Sequence, residues 1–307
     1  MRKEDYMEEF HSPYVSSKFI QIFQDYAKRF QKPRTRKEYI YVISSFCNEI
    51  ACDFLDLDEV KVQTYFDRHK EDLDGKTLKY QLRIFQAVAK FLDENAKEFN
   101  VNPVYASCFL KLDFEAPDVM IAPESLPSLK EVNCLMEYLK KCQDTTTFLA
   151  VVLAFRCSLT INETVSLKRE MFFQDRNGNY GLRMKVSPVN DRFVKLPEDV
   201  VDIIRIHLEN RNDINPYLLL NRHGKQLSIL TLQNRLRDAC LNCGVKPFTM
   251  NHLRTLSTAY MMKEGAPPDK IAEYIHIKNQ DWFFRYDRVV EELKDAAVDY
   301  THIKIIW

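Results

Sequence analysis

Apolar residues recur at helical spacing through most of this chain, and strand-like alternation appears only near its middle. SKFIQIFQDYAKRF (17–30) opens the series. Thr35 is placed to cap EYIYVISSFCNEI, whose Tyr39, Val42, Ile43 and Phe46 fall on one stripe. DLDEVKVQTYFDRHKED (56–72) predicts a third helix. DGKTLKYQLRIFQAVAKFLDENAKE (74–98) predicts a fourth, with Thr77 near its start. Four short amphipathic helices make a compact bundle.

Residues 114–127 (FEAPDVMIAPESLP) hold three prolines and little periodicity, which predicts a boundary. The expected division is a helical domain over 1–115, a linker over 116–127 and a second domain over 128–307. SLPSLKEVNCLMEYLKKC restarts a helix with Ser128 as cap. TTTFLAVVLAFRCSL (145–159) is the most apolar segment and the expected core of the second domain. EMFFQDRNGNYGLRMKV (170–186) predicts a hairpin turning at Asn177-Gly178, and DRFVKLP (191–197) a third strand. Pro197 then starts the helix EDVVDIIRIHLENR. YLLLNRHGKQLS (217–228) predicts a short strand and turn. Three helical segments follow, ILTLQNRLRDACLNCG, NHLRTLSTAYMMKEG and PPDKIAEYIHI, the first two stopped by Gly244 and Gly265. WFFRYDRVVEELKDAAVDY predicts a short aromatic helix and a tail. The fold class is therefore mainly α with a small antiparallel sheet.

Composition changes the picture little. Forty-four basic residues balance 44 acidic ones, so any nucleic-acid surface must be a local patch. The longest apolar runs are too short to span a bilayer. The charged MRKEDYMEEFHSPY lacks a signal-peptide core, so no membrane and a cytoplasmic location are expected. Eight cysteines without a framework suit a reducing compartment. Cys240 and Cys243 form a C-x-x-C, but a zinc site needs two more ligands at suitable spacing. Core or helix-face thiols are the favoured reading, and neither metal nor cofactor is expected.

One stretch does carry chemistry. TMNHLRTLSTAYMM (249–262) sets Arg254 at the head of an apolar helix, where a charge is costly without an anionic partner. An internal carboxylate, Glu163 or Asp287, is one such partner. A phosphate is another.

The order of elements and several motifs resemble the tyrosine recombinase (phage integrase) family over nearly the whole chain. The resemblance implies a SAM-like helical core-binding domain and a catalytic-type domain that together clamp double-stranded DNA. It also implies a Tyr nucleophile attacking a backbone phosphate, assisted by two Arg, a hairpin Lys and two His (or His and Trp). The family's T-G-L-R-I-S-E-L corresponds to CSLTINET (157–164), with Thr160 at the first Arg. H-x-L-R corresponds to NHLR, so Arg254 matches the second Arg and Asn251 replaces the His. L-L-G-H corresponds to YIHI, with Ile277 at the His position and His276 one residue early. Tyr286 stands at the nucleophile position. Lys185 is the nearest candidate for the hairpin lysine, although strict spacing back from Pro197 favours Ser187. On a helix, neighbouring side chains diverge by about 100°, which predicts that His252 faces away from Arg254's partner.

Losing a preorganised donor slows such reactions by about 10²–10³, and losing an Arg on a transferring phosphoryl group by roughly 10³–10⁵. Three readings stand on these residues. One is a DNA-binding member of the family with impaired strand cleavage. A second is an active recombinase with a divergent site, in which Lys185, His276 or Arg156 fills a gap. The third is a helical interaction protein without DNA binding. For the first two, Arg34, Arg36, Lys37, Lys76 and Lys79 are candidate DNA contacts in the first domain, and Arg222, Lys225, Arg235 and Arg237 in the second. Each also reads as a solvated surface charge. The tail ending in IKIIW suits docking on a second subunit, of this chain or another recombinase, or packing on its own domain.

Overall fold

The computed structural model describes residues 10–115, 120–187 and 190–294. The chain divides into two compact units, residues 1–118 and 119–307. The first holds α1 (Ser17–Ala27), α2 (Pro33–Glu49), α3 (Glu59–His69), α4 (Gly75–Glu94) and the single turn α5 (Ala96–Phe99). Its core is aromatic: Phe19, Phe46, Phe54, Phe66, Phe85 and Phe109 are fully buried. The stripe on α2 behaves as the spacing predicts, with Val42, Ile43 and Phe46 buried and Tyr39 packed against them.

Polar side chains set the helix starts. Ser16, Asp58 and Asp74 each accept a backbone N–H from the first turn of α1, α3 and α4. Thr35 caps nothing. The second helix begins two residues earlier at Pro33, whose missing N–H costs nothing at a first helical position. The stretch expected as one helix over 56–72 is a 3₁₀ turn, Phe54–Asp56, followed by α3.

The second unit holds α6 (Leu129–Lys141), α7 (Thr145–Cys157), α8 (Ile161–Ser166), β1 (Phe172–Gln174), β2 (Tyr180–Ser187) and β3 (Asn190–Lys195). After these come α9 (Glu198–Glu209), α10 (Ile229–Asn242), α11 (Met250–Lys263), α12 (Pro268–Ile275) and α13 (Asp287–Leu293). Ser128 and Glu131 close a reciprocal capping box at the head of α6. The apolar α7 is the core helix, with Leu149, Ala150, Val151, Leu153 and Ala154 inaccessible.

The three strands form one antiparallel sheet in the order β1-β2-β3. The first turn takes Gly178 at φ 84°, a left-handed conformation that glycine adopts without penalty. Strand alternation decides what each side chain meets. Leu182 and Met184 on β2, and Arg192 and Val194 on β3, are buried, while Arg183, Lys185 and Phe193 are exposed.

The segment 217–228 is not a strand. It makes only isolated bridges, Lys168↔Tyr217 and Leu220↔Gln226, because the chain reverses at once through Asn221–Lys225. All eight cysteines are free thiols. Among the described residues no helix is long and apolar enough to cross a membrane. The expected role of the terminal tail falls on residues 295–307, outside the described residues.

The core position of α7 gives a direct test. Leu153→Ala should lower the unfolding free energy by about 2–5 kcal/mol in urea denaturation. Leu230→Ala, at a side chain 67% exposed, should stay within about 0.5 kcal/mol. Equal effects would contradict the assigned core.

Candidate active site

Arg254 and Tyr286 line one cavity of about 500 Å³ in the second unit. Arg254 sits in the second turn of α11, whose start is fixed by Thr249: its Oγ accepts the His252 N–H at 3.3 Å, and its own N–H donates to His252 Nδ1 at 3.3 Å. The Arg254 guanidinium is half-buried and donates through Nη2 to the Ile275 carbonyl at the end of α12. Burial pulls its pKa down, nearby Glu163 and Tyr286 pull it back up, and Arg192 pushes it further down. A guanidinium stays charged in any of these settings.

Tyr286 closes the 3₁₀ helix Gln280–Tyr286. Its ring meets Phe283 edge-on at 6.2 Å and packs on the small cluster of Ile271, Ala272 and Ile275. The phenol oxygen makes no hydrogen bond among the described residues, so it is available to a ligand in the cavity.

The same cavity gathers groups that the sequence reading did not assign to it. His252 is on its wall, against the expectation that it faces away. Asn251, His252, Arg254 and Thr255 all line the cavity, so it spans more than one face of the start of α11 and the rotation rule does not exclude His252. Its Nδ1 is the acceptor for Thr249, so the neutral ring carries its proton on Nε2. Burial, and then Lys246, hold its pKa below the ordinary value, which keeps the ring neutral. Trp282 and Arg285 also line the cavity, with the Arg285 guanidinium 5.0 Å from the Trp282 ring centroid. Met120, Ile121, Ala122, Ser125 and Leu126 complete the lining, anchored by Ile121 N–H to the Arg285 carbonyl at 2.8 Å. Only an aromatic-basic pattern around Tyr286 could have suggested Trp282 and Arg285 from sequence.

Other candidates are not brought there. Lys185 is exposed on the outer face of β2, because alternation turns its neighbour Met184 inward instead. His276 adopts φ 57° as the left-handed cap of α12, and it lines a separate cavity with Asp191, Arg192, Phe193 and Glu273. Arg156 is engaged by Asp199 (3.0 and 3.3 Å) and lines a third cavity. Neither Lys185, His276 nor Arg156 therefore fills the gap at Thr160 in this arrangement.

Thr160 has a structural task of its own. It caps α8 in a box with Glu163: Thr160 N–H and Oγ1 both meet Glu163 Oε2 (2.7 and 2.9 Å), and Glu163 N–H returns to Oγ1 (3.2 Å). Glu163 Oε1 accepts from Arg192. Burial raises the Glu163 pKa, but Arg192 and the Thr160 hydrogen bonds outweigh it, so the net shift is downward. Both oxygens of this carboxylate are thus occupied by groups other than Arg254. Asp287 is exposed at the start of α13. Asn251 is exposed at the cavity rim, and Ile277 lies between the cavity and that of His276.

The candidate DNA-contacting cations differ in exposure. Arg34, Lys37 and Lys76 are exposed on the first turns of α2 and α4, and Arg36 is half-buried. Lys79 donates to the Phe114 carbonyl at 3.5 Å and lies 3.9 Å from Asp113. Arg222 and Lys225 are exposed on the turn around Gly224. Arg235 pairs with Asp144 at 3.8 Å and Arg237 with Asp238 at 3.3 Å. Solvent-screened pairs of this kind contribute about 0–1 kcal/mol, so they do not withhold these cations from a stronger anion.

Residues 128–292 match the model of the phage integrase family. Over 186 residues the chain is 27% identical to tyrosine recombinase XerA of Thermococcus kodakarensis. That match covers 57% of this chain and 63% of the relative, just under two thirds of its length. The fold is shared with XerH site-specific recombinase bound to a difH substrate in a pre-cleavage complex, at 14% identity and TM-score 0.66, over 94% of this chain and 91% of that one. It is shared too with a lambda integrase (75–356) dimer bound to a COC′ core site, at 12% identity and TM-score 0.65, over 90% of this chain and 97% of that one.

The depressed Glu163 carboxyl predicts an acid-sensitive step. A lowered folded-state pKa stabilises the fold above the unfolded value, near 4.5, and that contribution is lost as pH falls through the folded value. Glu163→Gln keeps the capping geometry but cannot titrate. Its stability should therefore fall less steeply than that of the parent protein below about pH 4.5 in denaturation series. Parallel acid limbs would refute the assignment.

Proposed function

The chain belongs to the phage integrase family, and from that premise we propose that it binds double-stranded DNA, Arg254 holding a backbone phosphate in front of Tyr286. Strand cleavage is severely slowed. The observation that carries this reading is the shared cavity: a half-buried guanidinium with one carbonyl partner, and a phenol with no partner among the described residues, on the same wall. A partly buried cation with unused N–H donors is matched by a phosphate, which accepts in the fork geometry that guanidinium offers.

The slowed cleavage follows from what the other positions lack. Thr160 is committed to a helix cap and carries no charge. Asn251 can donate a hydrogen bond but cannot move a proton at neutral pH, and Ile277 can do neither. Of the exposed cations, Arg34, Lys37, Lys76, Arg222 and Lys225 supply the remaining phosphate contacts, together with Arg36, Lys79, Arg235 and Arg237. No metal or cofactor is invoked. A second subunit, of this chain or of another recombinase, fits the family's habit of acting in multimers.

A second reading, an active recombinase with a divergent site, draws on His252. A neutral imidazole lining the same cavity as the phenol is a group able to take its proton.

A labelled duplex and a nicked trapping substrate separate these readings. Arg254→Ala should weaken duplex binding by roughly ten- to a hundredfold and reduce the slope of log affinity against log salt by about one. Tyr286→Phe should bind as the parent does. The parent should form little or no covalent adduct on a denaturing gel. Rapid adduct formation that disappears in Tyr286→Phe and in His252→Ala would establish the active reading instead. Unchanged affinity and salt slope in Arg254→Ala would refute the phosphate assignment.

A further inference from the structure

Two guanidiniums meet the C-terminal end of α12 on consecutive carbonyls. Arg192 donates Nε (3.1 Å) and Nη2 (2.6 Å) to the Tyr274 carbonyl, while Arg254 donates Nη2 to that of Ile275. The last carbonyls of a helix lack intrahelical partners and carry partial negative charge, so they hold cations well. The two side chains come from different elements, β3 and α11, and differ in access. Arg192 is 3% exposed, whereas Arg254 lines the open cavity. Arg192 also reaches Glu163 with Nη1, so its fork is spent on internal acceptors.

Among the described residues, Glu163 is the carboxylate whose charge is felt at Arg254. One carboxylate thus faces two guanidiniums, and the pairing chosen decides whether the cavity is attractive to an anion. With Arg192 in place, Glu163 is occupied on both oxygens and Arg254 keeps only a neutral carbonyl. Without it, the buried carboxylate would need a cation, and Arg254 is the one at hand. A two-pronged Arg–carboxylate pair would satisfy both groups and would compete directly with an incoming phosphate.

We infer that Arg192 is a positioning residue for the phosphate site: by holding Glu163 it keeps Arg254 open to an external anion. The inference rests on the phosphate reading of Arg254. It assigns to β3 a cation that serves the site without touching DNA, at a place in the fold where Thr160 contributes no charge. The signal was present in the strand pattern. Arg192 alternates inward with Val194 and Leu196, an unusual place for an arginine unless a carboxylate waits there.

The test is a pair of substitutions read by anisotropy with a labelled mixed-sequence duplex. Arg192→Gln should weaken binding about tenfold, because it releases Glu163 onto Arg254. Adding Glu163→Gln to it should restore affinity to within about threefold of the parent, since no carboxylate remains to compete. A purely structural role predicts the opposite, a double variant at least as weak as the single one. Glutamine at 163 keeps the acceptor for Thr160, so the helix start survives. Melting curves identify a single variant that fails to fold. In that event Glu163→Gln alone decides: affinity equal to or above the parent supports the inference, and reduced affinity overturns it. Failure of the double variant to recover, while Arg254→Ala still weakens binding, would sink the role of Arg192 and leave the phosphate reading standing. If Arg254→Ala has no effect, the phosphate reading itself is what fails.

Discussion

A single carboxylate organises the candidate site. Glu163 closes the cap of α8 with one oxygen and holds Arg192 with the other. A carboxylate in a partly buried place must be satisfied on both oxygens, and here the Thr160 cap and Arg192 do so. Thr160 gives up any charged role to make the cap. Arg192 gives up access to solvent to balance the charge. Arg254, left with the Ile275 carbonyl, faces the cavity with donors to spare. The arrangement ties α8, β3, α11 and α12 together through side chains that no single helix or strand could bring into contact. It also answers what lies opposite the charge at the head of α11: among the described residues no carboxylate pairs with Arg254, and Glu163 is engaged by Thr160 and Arg192.

Much of the fold is legible in the sequence because it is written locally. The box at Ser128 and Glu131, the Asn177-Gly178 turn and the apolar run of α7 each need only neighbours in the chain, and each forms as the pattern predicts. The failures arise where a local rule has a rival. Thr35 is a good cap, but Pro33 is a better start. Residues 217–228 have strand-like side chains, yet the turn around Gly224 follows too soon for pairing to extend.

The site is legible in part for the same reason. Arg254 and Tyr286 come from two motifs whose register is fixed by helix geometry, and both line one cavity. Lys185 is the lysine nearest the hairpin position, although spacing back from Pro197 favours Ser187, and strand alternation turns Lys185 outward and Arg192 inward. Reading alternation back from Val194 would have found Arg192. His276 could not have been resolved so simply. A left-handed cap is usually glycine, and a histidine there gives no warning that its side chain turns into another cavity. Nor does a proline-rich segment announce that residues 120–126 serve as a wall.

The proposed split between retained binding and slowed cleavage follows from how the two depend on charge. Duplex affinity is spread over many phosphates, so one missing cation removes a small part of it. Cleavage depends on charge that develops at a single phosphate, and only groups stronger in the transition state than before it raise the rate. An absent arginine there is worth roughly 10³–10⁵ in rate. Arg192 cannot recover this, because its guanidinium is buried and held by the Tyr274 carbonyl and Glu163, and it does not line the cavity that Arg254 and Tyr286 share. Its charge is felt at Arg254, but the geometric part of the stabilisation is missing. On the proposed reading, a site that presents Arg254, a neutral histidine and a phenol, with no charge at Thr160 or Ile277, is better matched to gripping the strand than to breaking it.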